Sequence, residues 1–294
     1  MQISRSEFLD RQGLPLHIRR WGDDAAPPMV LLHGWMDVSA SFQFVVDALS
    51  KEWNIIAPDW RGFGPSGWQG RSYWFPDYLA DLQLILGHYF PGQAVPLVGH
   101  SLGGVVAALY AGLRPEQVSH LLTLDGFGIA GTTPDMAPAR YRDWMEVQKA
   151  VPRMHIYPER AAFARRLMHS DPRLTAVRAD YLAQHLCRPN PAGDGVVWNG
   201  DPWHKARNAY LYRLDESMAI WREVNAPTLW VLARDSWIVR ELLSRPGDMA
   251  ARQACFRQYH EVWIEESDHM MHHDQPEELA RVIESFLAGT PASD

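Results

Sequence analysis

Short apolar runs alternate with helix-patterned segments through the first 126 residues, and this alternation constrains the fold more than any other feature. MVLLHGW (29–35), WNIIAPDW (53–60), AVPLVGHS (94–101) and VSHLLTLDG (118–126) are of the length and composition of strands buried on both faces. Between them lie SASFQFVVDALSK, with Phe42, Val45, Val46 and Leu49 at helical spacing, FPDYLADLQLILGHYF, and SLGGVVAALYAGL, which ends at Arg114-Pro115. SEFLD and LPLHIRRW ahead of them read as a hairpin. A β-α-β-α-β-α-β order predicts an α/β fold: a mostly parallel central sheet with helices on both faces and ligands at the carboxyl ends of its strands.

The alternation stops at Phe127 and resumes at Ala226-Pro227 with PTLWVLAR, HEVWIEE and a closing amphipathic helix, PEELARVIESFLAG, whose Leu279, Val282, Ile283 and Phe286 share a face. Residues 1–126 and 226–294 therefore read as a discontinuous core, and residues 127–225 as an inserted helical cap broken by GTTPDMAP, YPER, SDPR and RPNPAGDG. The cap holds 11 of the 33 aromatic residues in about a third of the chain, which gives no support to an aromatic cage. Its charge is more telling: 14 Lys+Arg against 11 Asp+Glu, net +3, leaves -10 for the core. Two surfaces of opposite sign can dock, or the cap can welcome an anionic substrate.

The chain as a whole carries a formal charge of -7, which gives a non-specific grip on nucleic acid or anionic membrane no electrostatic support. No apolar run reaches the roughly 18 residues of a membrane span, and MQISRSEFLD has no secretory pattern. Cys187 and Cys255 are far apart and belong to no CxxC or Cys/His cluster, as in a reducing compartment. The expectation is a soluble cytoplasmic protein with a small-molecule substrate and no structural zinc site.

GHSLGG (99–104) sits between an apolar strand and an Ala-rich helix. A serine forced into a tight strand-to-helix turn needs minimal neighbours two residues before and after, here Gly99 and Gly103, while Gly104 lets the helix close on the sheet. Ser101 is therefore the candidate nucleophile. It needs a base held by a third group. In SDHMMHH (267–273), His269 comes first after the last strand and is the candidate base; His272 and His273 fall nearer the final helix and read as structural or solvated. His100, beside the nucleophile, should point away from it and pack. An oxyanion needs two preorganised donors, for which the backbone N–H groups of Leu102, at the helix start, and Trp35, in HGW, are placed. His33 reads as the residue that shapes that loop.

Together, HGW, DWRGFGPS (59–66), GHSLGG, the cap and the late histidine resemble the α/β-hydrolase superfamily in motif order, over roughly residues 14–126 and 226–289. HGWMDVSASF, GHSLGGVV, LLTLDGF and DHMMHHDQPE are most similar to its serine hydrolase-like group. The resemblance implies structural roles for Asp59 and Arg61. It also frames the choice of acid. Most of the superfamily carries Gly-x-x-Asp after the seventh core strand, but here Ala233-Arg234-Asp235-Ser236 puts the acid one residue early, and a one-residue slip redirects a side chain. Asp125, after the sixth strand, is where other branches and the serine hydrolase-like group carry theirs, so Asp125 is favoured and Asp235 is the alternative. The implied function is cofactor-independent, metal-free hydrolysis of a carboxylic ester or thioester through an acyl-enzyme. Rivals are a cofactor-free dioxygenase or carbon–carbon bond hydrolase on the same scaffold, and a ligand receptor with an inert triad.

Overall fold

The structure, a computed structural model, describes residues 1–289, so the last five residues of the expected second core segment lie outside it. The chain opens with β1 (Arg5–Arg11) and β2 (Leu14–Trp21), paired antiparallel from Arg5 opposite Arg20 to Arg11 opposite Leu14. There follow β3 (Pro28–Leu32), α1 (Gln43–Ala48), β4 (Asn54–Pro58), α2 (Pro76–Tyr89), β5 (Val95–His100), α3 (Leu102–Leu113) and β6 (Val118–Leu124). The helix expected from Ser39 onward begins as a 3-10 turn, Ser39–Phe42, whose first N–H, that of Ser39, donates to Asp59 Oδ1.

Between β6 and the next core strand come α4 (Ala137–Val147), β7 (Ile156–Tyr157), α5 (Arg160–Ser170), α6 (Ala176–Leu186), β8 (Cys187–Pro189), β9 (Val196–Trp198) and α7 (Leu214–Trp221). Beside the expected helices, this segment carries three short strands. RPNPAGDG turns the chain between β8 and β9, and β7 joins them in a three-stranded antiparallel sheet. The core resumes with β10 (Thr228–Ala233), α8 (Trp237–Leu243), α9 (Asp248–Gln253), β11 (Tyr259–Ile264), α10 (Met271–Asp274) and α11 (Pro276–Leu287).

The main sheet has eight strands in the order β1-β2-β4-β3-β5-β6-β10-β11, parallel from β4 to β11. Alternation along each strand sends side chains to opposite faces. Val30, Leu32, Ile56, Leu97, Leu121 and Leu232 pack toward α2, α3 and the β6–β10 segment. Met29, Leu31, Ile55, Val98, Leu122 and Val231 pack on the other face against Phe42, Val45, Val46, Leu279 and Ile283. Both faces are covered, so the parallel strands read as unbroken apolar runs. No helix among the described residues is long and apolar enough to cross a membrane.

The β6–β10 segment is fastened to the core near β9. Trp198 Nε1–H donates to the Met36 carbonyl (3.1 Å), and Asp201 Oδ2 accepts from the Tyr73 hydroxyl (2.9 Å). Arg173 and Arg178 pair with Asp235 and Glu277, a docking of basic on acidic residues as the charge division implies. At the other end α4 buries no residue. His204 is stacked between Phe63 and Tyr73, with ring centroids 3.7 Å from each, and its Nε2–H donates to the Arg61 carbonyl (3.1 Å). Burial pushes this imidazole from the ordinary 6.5 down to about 3.

A folded-state pKa below the unfolded one makes the neutral ring's contribution whole above 6.5, and that contribution is lost progressively as pH falls from there toward about 3. His204→Phe keeps the stack and cannot titrate. The drop in denaturation midpoint between about pH 7 and about pH 4 should therefore be smaller in His204→Phe than in the parent protein. An equal drop would place the acid sensitivity elsewhere.

Candidate active site

Ser101 joins β5 to α3 with φ 50° and ψ -115°, a conformation outside the regions L-residues ordinarily occupy. Its neighbours permit this only because they lack side chains. A Cβ on Gly99 would lie 2.4 Å from the Gly103 carbonyl oxygen, and one on Gly103 would lie 2.1 Å from that of Leu32. Gly104 closes on Gly126, where a Cβ would meet Cα at 2.8 Å. The Ser101 N–H donates to the Leu124 carbonyl (2.9 Å), which ties the turn to the end of β6.

One residue past β6, Asp125 also has positive φ, 47°. Its N–H donates to the Val231 carbonyl (3.0 Å) and its Oδ1 accepts from the Ala233 N–H (3.1 Å), so the end of β10 fixes the carboxylate. Oδ2 accepts from His269 Nδ1–H at 3.2 Å. Asp125 is 2% exposed. The structure thus brings Asp125 to His269 and leaves Asp235 elsewhere: the Asp235 side chain is 45% exposed and pairs with Arg173. Ser236, at the superfamily's usual acid position, is buried as the residue preceding α8.

With Nδ1 donating to a carboxylate, His269 Nε2 keeps a lone pair; the bond to Asp125 is the ring's sole hydrogen bond among the described residues, so Ser101 Oγ is not yet engaged. The ring stands edge-on to Trp237, with centroids 6.1 Å apart. Its backbone carbonyl accepts from His100 Nε2–H (2.8 Å). His100 does turn away from the cavity, but it also pins the loop that carries His269, a link the sequence does not disclose. Burial, reinforced by His272 and His269, holds its pKa well below the ordinary imidazole value.

The HGW loop packs against the turn: a Cβ on Gly34 would lie 3.2 Å from Ser101 Cβ. The Trp35 N–H makes no backbone hydrogen bond among the described residues, and Leu102, as the first residue of α3, has no intrahelical acceptor for its own. Both are free donors beside Ser101. His33 shapes the loop, donating from Nδ1 to the Gly34 carbonyl (2.7 Å) and accepting the Trp60 N–H at Nε2 (2.9 Å). Burial lowers its pKa, in keeping with this neutral tautomer. Asp59 is engaged by His17 Nδ1 (2.6 Å), and Arg61 donates from Nε to Asp81 (2.6 Å) and pairs with Asp77 (2.8 Å). Neither lines the cavity. Both hold loops.

Ser101 opens onto a cavity of about 610 Å³ that Phe127, Ile129, Trp237 and Leu242 make largely apolar. Arg140 and Arg207 reach it from the inserted segment, and among the described residues neither takes part in a salt bridge. Arg252 is buried and holds the chain leaving β6 through the Phe127 (2.7 Å) and Ile129 (3.0 Å) carbonyls. None of these could be singled out in the sequence, because the loops and helices that carry them have no spacing rule relating them to Ser101.

Residues 27–276 match the family model described as the alpha/beta hydrolase fold. The chain belongs to that family. Its relatives include the serine hydrolase-like protein of Danio rerio, 28% identical over 98% of this chain and 90% of that one. Another is the sn-1-specific diacylglycerol lipase ABHD11 of Mus musculus, 25% identical over 97% and 89%. Among solved structures, the thioesterase domain from the curacin biosynthetic pathway shares the fold, with a TM-score of 0.85 and 24% identity over 96% of this chain and 99% of that one. This alpha/beta hydrolase is a hydrolytic enzyme, as the serine hydrolase-like resemblance implied.

The glycine packing is open to a direct check. Gly103→Ala forces a methyl group against the Leu32 carbonyl and should lower unfolding stability by about 2 kcal/mol or more. Chemical denaturation measures it, and a loss below about 0.5 kcal/mol would mean that the turn relaxes freely.

Proposed function

We propose that this alpha/beta hydrolase cleaves carboxylic esters or thioesters of a small-molecule substrate through an acyl-enzyme, with Ser101, His269 and Asp125 as its triad. The observation that carries the reading is the bond from His269 Nδ1–H to the buried Asp125, next to a serine in a strained turn. His269 Nε2, left with its lone pair, takes the Ser101 hydroxyl proton as Oγ bonds to the acyl carbon. The tetrahedral oxyanion is held by the N–H groups of Leu102 and Trp35. Collapse breaks the bond to the leaving alcohol or thiol, which takes the proton from His269. Water then adds to the acyl-enzyme with the same base assistance, releasing the acid and restoring Ser101. The Ser101–His269 bond forms when substrate is bound, as catalytic hydrogen bonds often tighten only then. Two buried free thiols, Cys187 and Cys255, fit a reducing cytoplasm.

Ser101→Ala should abolish covalent labelling by a fluorophosphonate probe. Labelling that persists would identify a different nucleophile, and labelling of the parent protein without turnover of any ester, thioester or lactone would favour a receptor. Asp125→Asn should lower kcat on the order of 10⁴-fold. Asp235→Asn, which loses an exposed ion pair, should change it less than about threefold. Comparable losses from both variants would remove Asp125 from the triad.

The cavity also supports a substrate class: an apolar acyl group on a molecule that carries a negative charge, met by Arg140 and Arg207. Arg207→Ala combined with Arg140→Ala should raise KM for an anionic ester on the order of tenfold with kcat little changed, and leave a neutral ester of equal size unaffected. Equal effects on the two esters would remove charge from the selectivity.

A further inference from the structure

On the side of Ser101 away from the cavity, side chains from three separate loops converge. Asp37 lies two residues after Trp35, His100 immediately precedes Ser101, and His272 lies three residues after His269. All three are buried, at 2%, 1% and 0% exposure. One ligating atom from each lies within 4.8 Å of the other two, and His272 Nε2 stands 3.4 Å from Asp37 Oδ2. Among the described residues, Asp37 Oδ2, His100 Nδ1 and both nitrogens of His272 have no hydrogen-bond partner. Orphaned polar atoms at such depth are costly, and their convergence on one point calls for a shared partner.

The atoms that face inward are also the ones prepared to donate electron pairs. His100 gives its Nε2–H to the His269 carbonyl, so its lone pair is on Nδ1, the ring nitrogen left over for the cluster. A metal-ligating histidine characteristically gives its other N–H to a carbonyl or carboxylate in this way. Asp37 is oriented similarly: Oδ1 accepts the Ser41 hydroxyl and Oδ2 is left for the cluster. A proton on His272 Nε2 can serve Asp37 or His100 but not both, so protonation alone does not satisfy the group.

We propose that Asp37 Oδ2, His100 Nδ1 and His272 Nε2 bind one first-row transition-metal dication of the zinc or cobalt class. Two imidazoles and one carboxylate suit such ions and are too poor in oxygen for calcium or magnesium. In a tetrahedral site, ligands at about 2.0–2.1 Å are about 3.3 Å apart, close to the separation already present between His272 and Asp37. His100 has at most about 1.5 Å to close. The ion would cross-link the loop of Trp35, the turn of Ser101 and the loop of His269, and thereby set their spacing. The site departs from the expectation of a metal-free chain; residues separated by 63 and 172 positions form no spacing motif.

Binding is measured without substrate and is independent of the esterase reading. Tag-free protein, stripped with a chelator, is titrated with Co²⁺. The expected result is one saturable equivalent, with visible absorption of a nitrogen- and oxygen-ligated ion and a raised melting midpoint. His272→Gln and Asp37→Asn, each confirmed as folded by circular dichroism, should weaken binding on the order of 100-fold. Absence of saturable binding to the parent protein would overturn the proposal, as would unweakened binding in a folded variant. X-ray absorption of the cobalt-loaded parent protein decides the matter should both variants fail to fold: two imidazole ligands support the site, and an all-oxygen shell overturns it.

Discussion

The approach of Gly103 to the carbonyl of Leu32 is the contact on which the rest of the site rests. It lets α3 begin directly on the sheet, leaving the chain between β5 and α3 no room for a relaxed turn. Ser101 takes the resulting strain in its backbone, of order 1–3 kcal/mol for such a conformation, and two strongly buried layers on either side of the sheet prevent its release. The same register sets the acid. Because β6 lies between β5 and β10, the residue that ends it can bond to the chain on one side and face a late loop on the other. Asp125 does both.

Much of this was legible before any coordinates. Short apolar runs alternating with helix-patterned segments read as parallel strands under helices, so the core order follows from MVLLHGW, WNIIAPDW and their successors. GHSLGG was informative because glycine at positions 99, 103 and 104 has a steric reason that a side chain would violate. The family resemblance was needed to weigh Asp125 against Asp235. The physical reason for the outcome is local: Asp235 follows β10 by two residues with its side chain toward solvent and Arg173, whereas Asp125 lies beneath the His269 loop.

What the sequence withheld depends on long-range closure. Nothing in SDHMMHH says that His269 presents its carbonyl to His100, or that His272, three residues on, turns inward to Asp37. The buried Arg252 holding the chain after Asp125 is likewise invisible, since its partners are backbone carbonyls that any residue could supply. The charge division was visible as a count, and the structure gives it two consequences at once. Arg173 and Arg178 dock on acidic residues of the core, while Arg140 and Arg207, at the cavity, form no salt bridge among the described residues.

The insertion is held unevenly, and this sets its mechanics. Trp198 grips the Met36 carbonyl, one residue past Trp35, so displacing β9 would pull on the loop that packs against Ser101. Helix α4 has no fully buried residue, is tied at its end by Gln148 to Ser72, and adds Arg140 to the rim. The segment is a leaf soldered along one edge, at β9, and laid loosely over the cavity along the other, where α4 lies.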